Sequence, residues 1–521
     1  MDENLKRDLE LSFKRAQQFY QLEKGSHIHL VGVCGTGMSG AAKLLKDRGF
    51  YITGSDKAFY PPMGDVAKSI CNEIFESYSA DNLINNKNKS FPRLVVIGNA
   101  LSRGNPEIEA ILSSDLPYMS MPELFSSALI GGYDQSAKSV VVCGTHGKTT
   151  TTSMIATALD EIGKAPGFFI GGIPPKLGKS IRGVDQSSDL KDRVVVLEGD
   201  EYHSAFFAHW PKFLSYRPDI VVLTSVEFDH ADIYSTLDEI DRQFYDLLTI
   251  IPKNGIAFIN IDKEHIKELF NRWKSSDQIL CRLVSYGVSP ESDIVVESRV
   301  SQQSSDSSLI SKYSQNITVK IEGQKYDFST PLSGEYNALN AVATFAVMRE
   351  IGISYEQIKV GISSFNGTKR RQELIYQDQD FIVLEDFAHH PTAIFETLKG
   401  IAERFTDYKI VAAFEPKSNT SRRSIFQKEF SECFEYANEV FIKDIVKTAI
   451  YSKDNSPVEF LNLEKLIFDI QSKGKKAEVI DDINIILEYI RQSRSKKTVL
   501  VLMSNSDFSG LPQKIKNLAL E

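Results

Sequence analysis

The sequence predicts an α/β protein of three domains, each built on a largely parallel sheet. Three observations carry that expectation. Short apolar runs bounded by glycine alternate with helix-patterned segments along the chain, which is the rhythm of strand–helix–strand units. Two of these units pass from strand to helix through a glycine-rich turn, at residues 35–40 and 144–147. The length, 521 residues, accommodates three or four domains at roughly 150 residues each. The second unit begins near Ser136, and the third follows a basic, hinge-like stretch at 365–371 (FNGTKRR). The expected domains are therefore residues 1–135, 136–367 and 368–521.

Composition narrows the class. A hydrophobic fraction of 42% is ordinary for a globular chain with a sizeable core. A net charge of -9 argues against a general nucleic-acid binder, which would carry a basic stripe, so any anion site must be local. Five cysteines without a C-x-x-C pair fit free thiols in a reducing, cytoplasmic compartment. No apolar run approaches the length of a membrane span. The first 25 residues are too charged for a secretory signal and read as an exposed helix leading into the first domain.

The first domain opens on the strand HIHLVGV, followed by Gly35, Thr36, Gly37, Met38, Ser39 and Gly40 and the helical run AAKLLKDRG. This is G-x-G-x-x-G in its proper context, with Asp56 at the end of the next strand (YITGSD). The tight turn lets a diphosphate approach backbone N–H groups, and the acid is placed for a sugar or base. On those residues alone a nicotinamide dinucleotide is the leading candidate, with a purely structural turn behind it. A further strand, LVVIG, ends in a polar loop carrying Asn99 and Arg103, where doubly wound sheets place ligands.

The second domain is organised around KSVVVCGTHGKTTTT. A buried strand runs into Gly144, Thr145, His146 and Gly147, then a helix. The orphan N–H groups and the dipole of that helix make an anion site. Lys148 is expected to face solvent there, as a charge suited to β- and γ-phosphates, and the hydroxyl of Thr149, followed by Thr150, suits Mg²⁺. A strict nucleotide loop has a glycine where this chain has Val142, so the loop is a shortened variant of an ATP site. The strand VVVL delivers Glu198, Asp200 and Glu201, and the next delivers Glu227, Asp229 and His230. Acids and a histidine ending neighbouring strands beside a phosphate loop are natural metal ligands, although each alone could be a solvated loop residue. Residues 301–315 are Ser/Gln-rich and read as a mobile surface hairpin or loop. Asn337 and Asn340 lie one turn apart at a helix start, suited either to an adenine edge or to capping.

In the third domain, Asp386, His389 and His390 follow one strand. Lys417, Ser418, Asn419, Thr420, Arg422 and Arg423 follow another. Strand-end placement favours ligand contact over plain solvation.

Taken in order, G-T-G-M-S-G, GTHGKTTT, E-G-D-E, E-F-D-H, G-E-Y-N-A-L-N, F-N-G-T-K-R-R and D-F-A-H-H-P resemble the Mur ligase family. Those enzymes use ATP to join an amino acid or peptide to a nucleotide-linked muramyl carboxylate. The resemblance covers nearly the whole chain past Ser26. It implies a Rossmann-like UDP-binding domain, a P-loop ATPase domain and a Rossmann-like C-terminal domain. Four stretches (YPPM, GNALSRGNP, EGDEYHSAFF and EPKSNT) resemble the branch that re-attaches the salvaged tripeptide L-alanyl-γ-D-glutamyl-meso-diaminopimelate in peptidoglycan recycling. The sibling branch, which adds L-alanine to UDP-N-acetylmuramate, is the alternative.

The resemblance reassigns the first glycine loop to a UDP-sugar, with Gly35, Thr36, Gly37, Met38, Ser39, Asp56, Asn99 and Arg103 around it. It implies that Lys148 meets phosphates, that Thr149, Glu198 and His230 hold Mg²⁺, and that Asn337 and Asn340 lie on the adenine side. Arg371 would contact phosphate and Asp386 the ribose. His389, Lys417, Ser418, Asn419, Arg422 and Asp507 would hold the incoming peptide, with His389 a possible acceptor of the amine's proton. Two places depart from the family pattern. The place where several relatives carry a carbamylated lysine falls near Arg217, with Lys212 off register, and the last strand ends in SNSDF without the branch's glycine pair. A monomer or weak homodimer acting on UDP-N-acetylmuramate and tripeptide, with no nucleic-acid or membrane partner, is expected. A dehydrogenase using the first loop and a nucleotide-gated binding module are the readings from other classes.

Overall fold

The computed structural model describes residues 2–59, 63–84, 90–131, 136–185, 187–229, 231, 233–303, 313–378, 380–446 and 458–518. The chain is mixed α/β in three domains, as the alternation predicts.

The first sheet has five parallel strands in the order Glu73–Phe75, Tyr51–Ser55, His27–Val31, Leu94–Ile97, Tyr118–Ser120. All five residues of His27–Val31 are buried, because helices cover both faces of a parallel sheet. The strand order reverses beside that strand, which opens a crevice where the first glycine turn lies.

Among the described residues, ten strands form the central sheet. At its middle, Ile220–Leu223, Lys138–Cys143, Val194–Glu198 and Gly167–Phe169 run parallel, so their carboxyl ends all open on one edge. An antiparallel extension, Ile294–Gln303, Tyr313–Ile321 and Gln324–Thr330, continues the far side. The segment expected as a hairpin or loop at 301–315 ends one strand and begins the antiparallel next, as the hairpin alternative has it, while 304–312 lie outside the described residues. Strand Tyr313–Ile321 alternates buried and less buried residues, the pattern of a sheet with one covered face.

The third sheet orders Glu373–Gln377, Phe381–Asp386, Thr498–Met503, Lys409–Phe414, Glu439–Lys443 and Lys476–Ile480, parallel except at the first edge.

Two elements differ from expectation. The helix after the first glycine turn begins at Thr36, so Gly37, Met38, Ser39 and Gly40 lie inside its first turns. The N-terminal helix Glu3–Gln17 buries Leu9, Ser12 and Ala16 rather than standing in solvent. Arg15 pairs with Glu123 of the first domain at 2.6 Å and stacks 5.3 Å from the Phe207 ring of the central one. The helix therefore straps two domains together. No helix among the described residues is long and apolar enough to cross a membrane.

Candidate active site

The central parallel strands end around a turn that only glycine fits. Gly144 (φ +118°) and Gly147 (φ +83°) have left-handed backbone. A Cβ would come within 2.5 Å of Thr224 Oγ1 at Gly144 and within 2.8 Å of Asn340 Oδ1 at Gly147. The turn is stitched to the loop after Ile220–Leu223: Thr145 N donates to Ser225 O at 2.9 Å and His146 N to Ser225 Oγ at 2.8 Å. Helix Lys148–Glu161 starts at once, so the first-turn amides of Lys148, Thr149 and Thr150 have no acceptor one turn back and converge on the cleft.

Lys148 does not face solvent. Its ammonium donates to Gly144 O at 2.5 Å, to Thr145 O at 3.2 Å and to the Glu201 carboxylate at 3.0 Å, with the side chain 13% exposed. Burial pulls its pKa down, but the Glu201 charge and hydrogen bond, together with the Glu198 and Asp200 charges, outweigh this and raise it. Beside it, Thr149 Oγ1 donates to Glu198 Oε1 at 2.8 Å, and Gly171 N donates to Glu198 Oε2 at 2.6 Å. The Thr149 hydroxyl and the carboxylates of Glu198 and Glu201, on two adjoining segments, form an oxygen-only donor set, which fits a hard ion such as Mg²⁺. His230 lies outside the described residues.

The hinge delivers Arg371 to the same spot. Its guanidinium donates to Thr149 Oγ1 at 3.2 Å and lies over the Phe387 ring. Arg370 and Gln372, on either side, hold positive φ (+60° and +51°). Ion pairing of Arg370 with Glu385 at 2.9 Å and a Gln372 N to Asp386 Oδ2 bond at 2.9 Å keep them there. Asp386 is buried, which raises its pKa.

Asn337 and Asn340 are buried too, but not as caps, since Gly334 holds that position. Asn340 donates to Asn337 Oδ1 at 3.3 Å and accepts from Thr151 Oγ1 at 3.0 Å, and Asn337 donates to Ser333 O at 2.7 Å. These amides fasten their helix to the phosphate-loop helix.

His389 Nδ1 lies 3.0 Å from Phe387 O, so it carries the proton and leaves Nε2 as acceptor. Burial lowers its pKa. His390 caps the helix Pro391–Arg404 through Nδ1, and burial holds its pKa near 4. Burial alone would raise Glu227. Hydrogen bonds from His146 and Thr392 and the charges of His146 and His390 outweigh that and bring it to about 2.

These groups share one cleft of about 1460 Å³. Thr36, Ser39 and Lys43 of the first domain form its far wall, and the hinge and residues 385–397 its roof. Of the residues expected around the UDP-sugar, Gly35, Gly37, Met38, Asp56, Asn99 and Arg103 lie outside that lining. Asp56 Oδ2 accepts from Cys34 N at 2.9 Å, which ties the acid to the glycine turn. Met38 buries its side chain in the core, and Ser39, which lines the cleft, donates from Oγ to Val33 O at 2.7 Å. Asn99 is exposed, and Arg103 is paired with Glu109 at 2.8 Å.

Three family models tile the chain: Mur ligase family catalytic domain over residues 27–133, Mur ligase middle domain over 142–348, and Mur ligase glutamate ligase domain over 370–505. A UDP-N-acetylmuramate–L-alanyl-γ-D-glutamyl-meso-2,6-diaminoheptandioate ligase from Escherichia coli is 31% identical, covering 94% of this chain and 97% of its own. The chain belongs to the Mur ligase family. It is an ATP-dependent ligase, which removes the dehydrogenase reading of the first glycine turn. A crystal structure of a murein peptide ligase from Psychrobacter arcticus superposes with a TM-score of 0.64 at 30% identity, covering 95% of this chain and 99% of that one. A UDP-N-acetylmuramate–L-alanine ligase from Carboxydothermus hydrogenoformans is 28% identical, covering 94% and 96%.

Within this Mur ligase the expected peptide residues divide. His389 lines the cleft, whereas Lys417, Ser418, Asn419, Arg422 and Asp507 do not. Lys417, Asn419 and Asp507 are exposed, and Arg422 reaches Asn419 Oδ1 at 3.1 Å. The division arises because the Lys409–Phe414 strand is separated from Phe381–Asp386 by Thr498–Met503, so its loop emerges further out. Arg423 instead crosses to the central domain, donating to Ala231 O at 3.1 Å. Arg217, near the place expected for the relatives' carbamylated lysine, donates to Ser126 O of the first domain at 3.2 Å, and Lys212 is ion-paired to Asp200 at 2.9 Å.

Sequence reasoning missed two relationships. Lys148 and Glu201 sit on different strand ends, and His146, Glu227 and His390 come from three separate motifs. No spacing in the chain signals either.

Proposed function

We propose that this chain ligates UDP-N-acetylmuramate to L-alanyl-γ-D-glutamyl-meso-diaminopimelate through an acyl phosphate. One observation carries the choice of a long peptide over a single amino acid. Beyond the cleft, three neighbouring strands of the third domain end in a mixed-charge floor. Glu415 bonds Lys443 at 2.8 Å, Ser504 at 2.7 Å and Ser506 at 2.6 Å there, with Lys417 and Asp507 exposed on its rim. L-Alanine presents one small carboxylate and needs no such extension. A tripeptide with several carboxylates and a second ammonium does. The similarity to the tripeptide ligase supports the same reading.

The muramyl carboxylate is a poor acyl donor, so it first takes the γ-phosphoryl group of ATP. That step is chiefly positioning and charge neutralisation. Lys148 leaves Glu201 for the β- and γ-phosphates, the helix amides hold the same oxygens, and Arg371 steadies the transferring group from the hinge. Bound Mg²⁺, held by Thr149, Glu198 and His230, would neutralise phosphate charge. The peptide amine then attacks the acyl phosphate, and phosphate leaves from the tetrahedral adduct. His389 is suited to accept the amine's proton, because burial favours its neutral form and Nε2 is the free acceptor. The hinge roof excludes water from the acyl phosphate.

A competition experiment tests the substrate. With equal tripeptide and L-alanine present, mass analysis should find the tripeptide conjugate as the main product. A predominance of the alanyl conjugate would move the chain to the sibling branch.

A further inference from the structure

We propose that His146, Glu227 and His390 bind a divalent first-row transition ion of the zinc class, separate from the Mg²⁺ expected at Thr149 and Glu198, and that this ion pins the third domain onto the phosphate loop.

The three residues each offer a ligand atom, and all of those atoms lie within 4.8 Å of one another. His146 Nε2 is 3.4 Å from Glu227 Oε2, and His390 Nδ1 is 3.8 Å from the same oxygen. Ligands about 2.0–2.1 Å from a tetrahedral ion stand roughly 3.3 Å apart, so the two spacings to Glu227 need only a small contraction. The donor chemistry points the same way. Two imidazoles and one carboxylate suit Zn²⁺, Co²⁺ or Ni²⁺, whereas Mg²⁺ prefers oxygen alone.

The surroundings fit a ligand set better than a settled hydrogen-bond network. His390 is 6% exposed, its Nε2 has no partner among the described residues, and its Nδ1 has only a 3.3 Å contact with Thr392 N. A metal on Nδ1 would replace that weak contact and leave the proton on Nε2. The His146 and His390 rings lie 4.9 Å apart, centroid to centroid, tilted rather than stacked. Thr392 Oγ1 donates to Glu227 Oε2 at 2.6 Å, an outer-shell bond that orients the carboxylate. The positive end of helix Pro391–Arg404 opposes a cation by about half a charge, which the full charge of Glu227 exceeds.

The site joins two domains. His146 belongs to the phosphate turn and Glu227 to the loop stitched against it, while His390 starts the third domain's first helix. An ion there favours the arrangement in which Arg371 reaches Thr149. The occupant would be structural, with no step of the reaction passing through it.

Metal counting on the full chain tests this. Chelator-stripped protein is dialysed against micromolar ZnCl₂ with excess Mg²⁺ to fill the oxygen site, and bound zinc is measured by atomic absorption. Wild type and Glu198→Gln should each retain about one zinc per chain. Glu227→Gln and His146→Gln, with circular dichroism confirming the fold, should bind at least about tenfold more weakly. Zinc should raise the Tm of wild type and not of those two variants. No bound zinc in wild type, undiminished zinc in both Glu227→Gln and His146→Gln, or loss of zinc in Glu198→Gln would each overturn the proposal.

Discussion

The ammonium of Lys148 and the carboxylate of Glu201 lie 3.0 Å apart, and the carboxylate's side chain is only 3% exposed. If Lys148 binds phosphate as proposed, Glu201 holds the place on the lysine that the phosphate would take. Lys148→Ala should abolish turnover, but it also strands a buried carboxylate. Unfolding free energy should fall by about 3 kcal/mol. The double variant Lys148→Ala/Glu201→Gln should regain most of that stability in urea denaturation and none of the activity. Full activity in Lys148→Ala would remove the lysine from its role.

Glu198 accepts from Thr149 and from Gly171 N, so it is oriented before any ion arrives. Glu198→Gln should raise the Mg²⁺ concentration for half-maximal rate by at least about tenfold. An unchanged Mg²⁺ titration would shift the metal role to Asp200 or Glu201.

Asn340 and Thr151 form a buried pair between two helices at 3.0 Å. Asn340→Ala leaves the Thr151 hydroxyl without its acceptor and should cost about 1–3 kcal/mol. If Thr151→Val is added, the two losses should fall short of additive, because the second change removes the stranded group. Strict additivity would mean that the pair is not coupled.

How much of this was legible in the sequence follows from what each signal measures. Valine-rich runs ending in glycine marked the buried strands, because a parallel strand covered on both faces has no polar side. Asp56 could be placed beside the first turn, since strand ends and turns meet on one edge of such a sheet. Sheet order could not be read, and with it went the position of the Lys417 loop, one strand further out than the ATP-side residues. The Lys148–Glu201 pair and the His146–Glu227–His390 group depend on distances between distant segments, which composition and spacing do not encode. The docking of the N-terminal helix was hidden for a different reason: its charged face dominates the composition, while Leu9, Ser12 and Ala16 make the contact.

His27 is buried with Nδ1 unpartnered among the described residues, and its pKa is pushed down to about 4 by burial and then by His29. The unfolded chain therefore binds this proton more readily. Its contribution to stability is full above about pH 6.5 and falls as pH drops toward about 4. In urea denaturation, His27→Gln should flatten the loss of stability between those limits relative to wild type. An identical slope would show that His27 does not titrate in that window.

Phosphate release measures the proposed ligation of a tripeptide to a muramyl carboxylate directly. With UDP-N-acetylmuramate, ATP and Mg²⁺ held constant, the tripeptide should release phosphate at least about tenfold faster than L-alanine, near 1.4 kcal/mol in transition-state terms. Equal rates with free L-alanine, or no phosphate release with either amine, would contradict it.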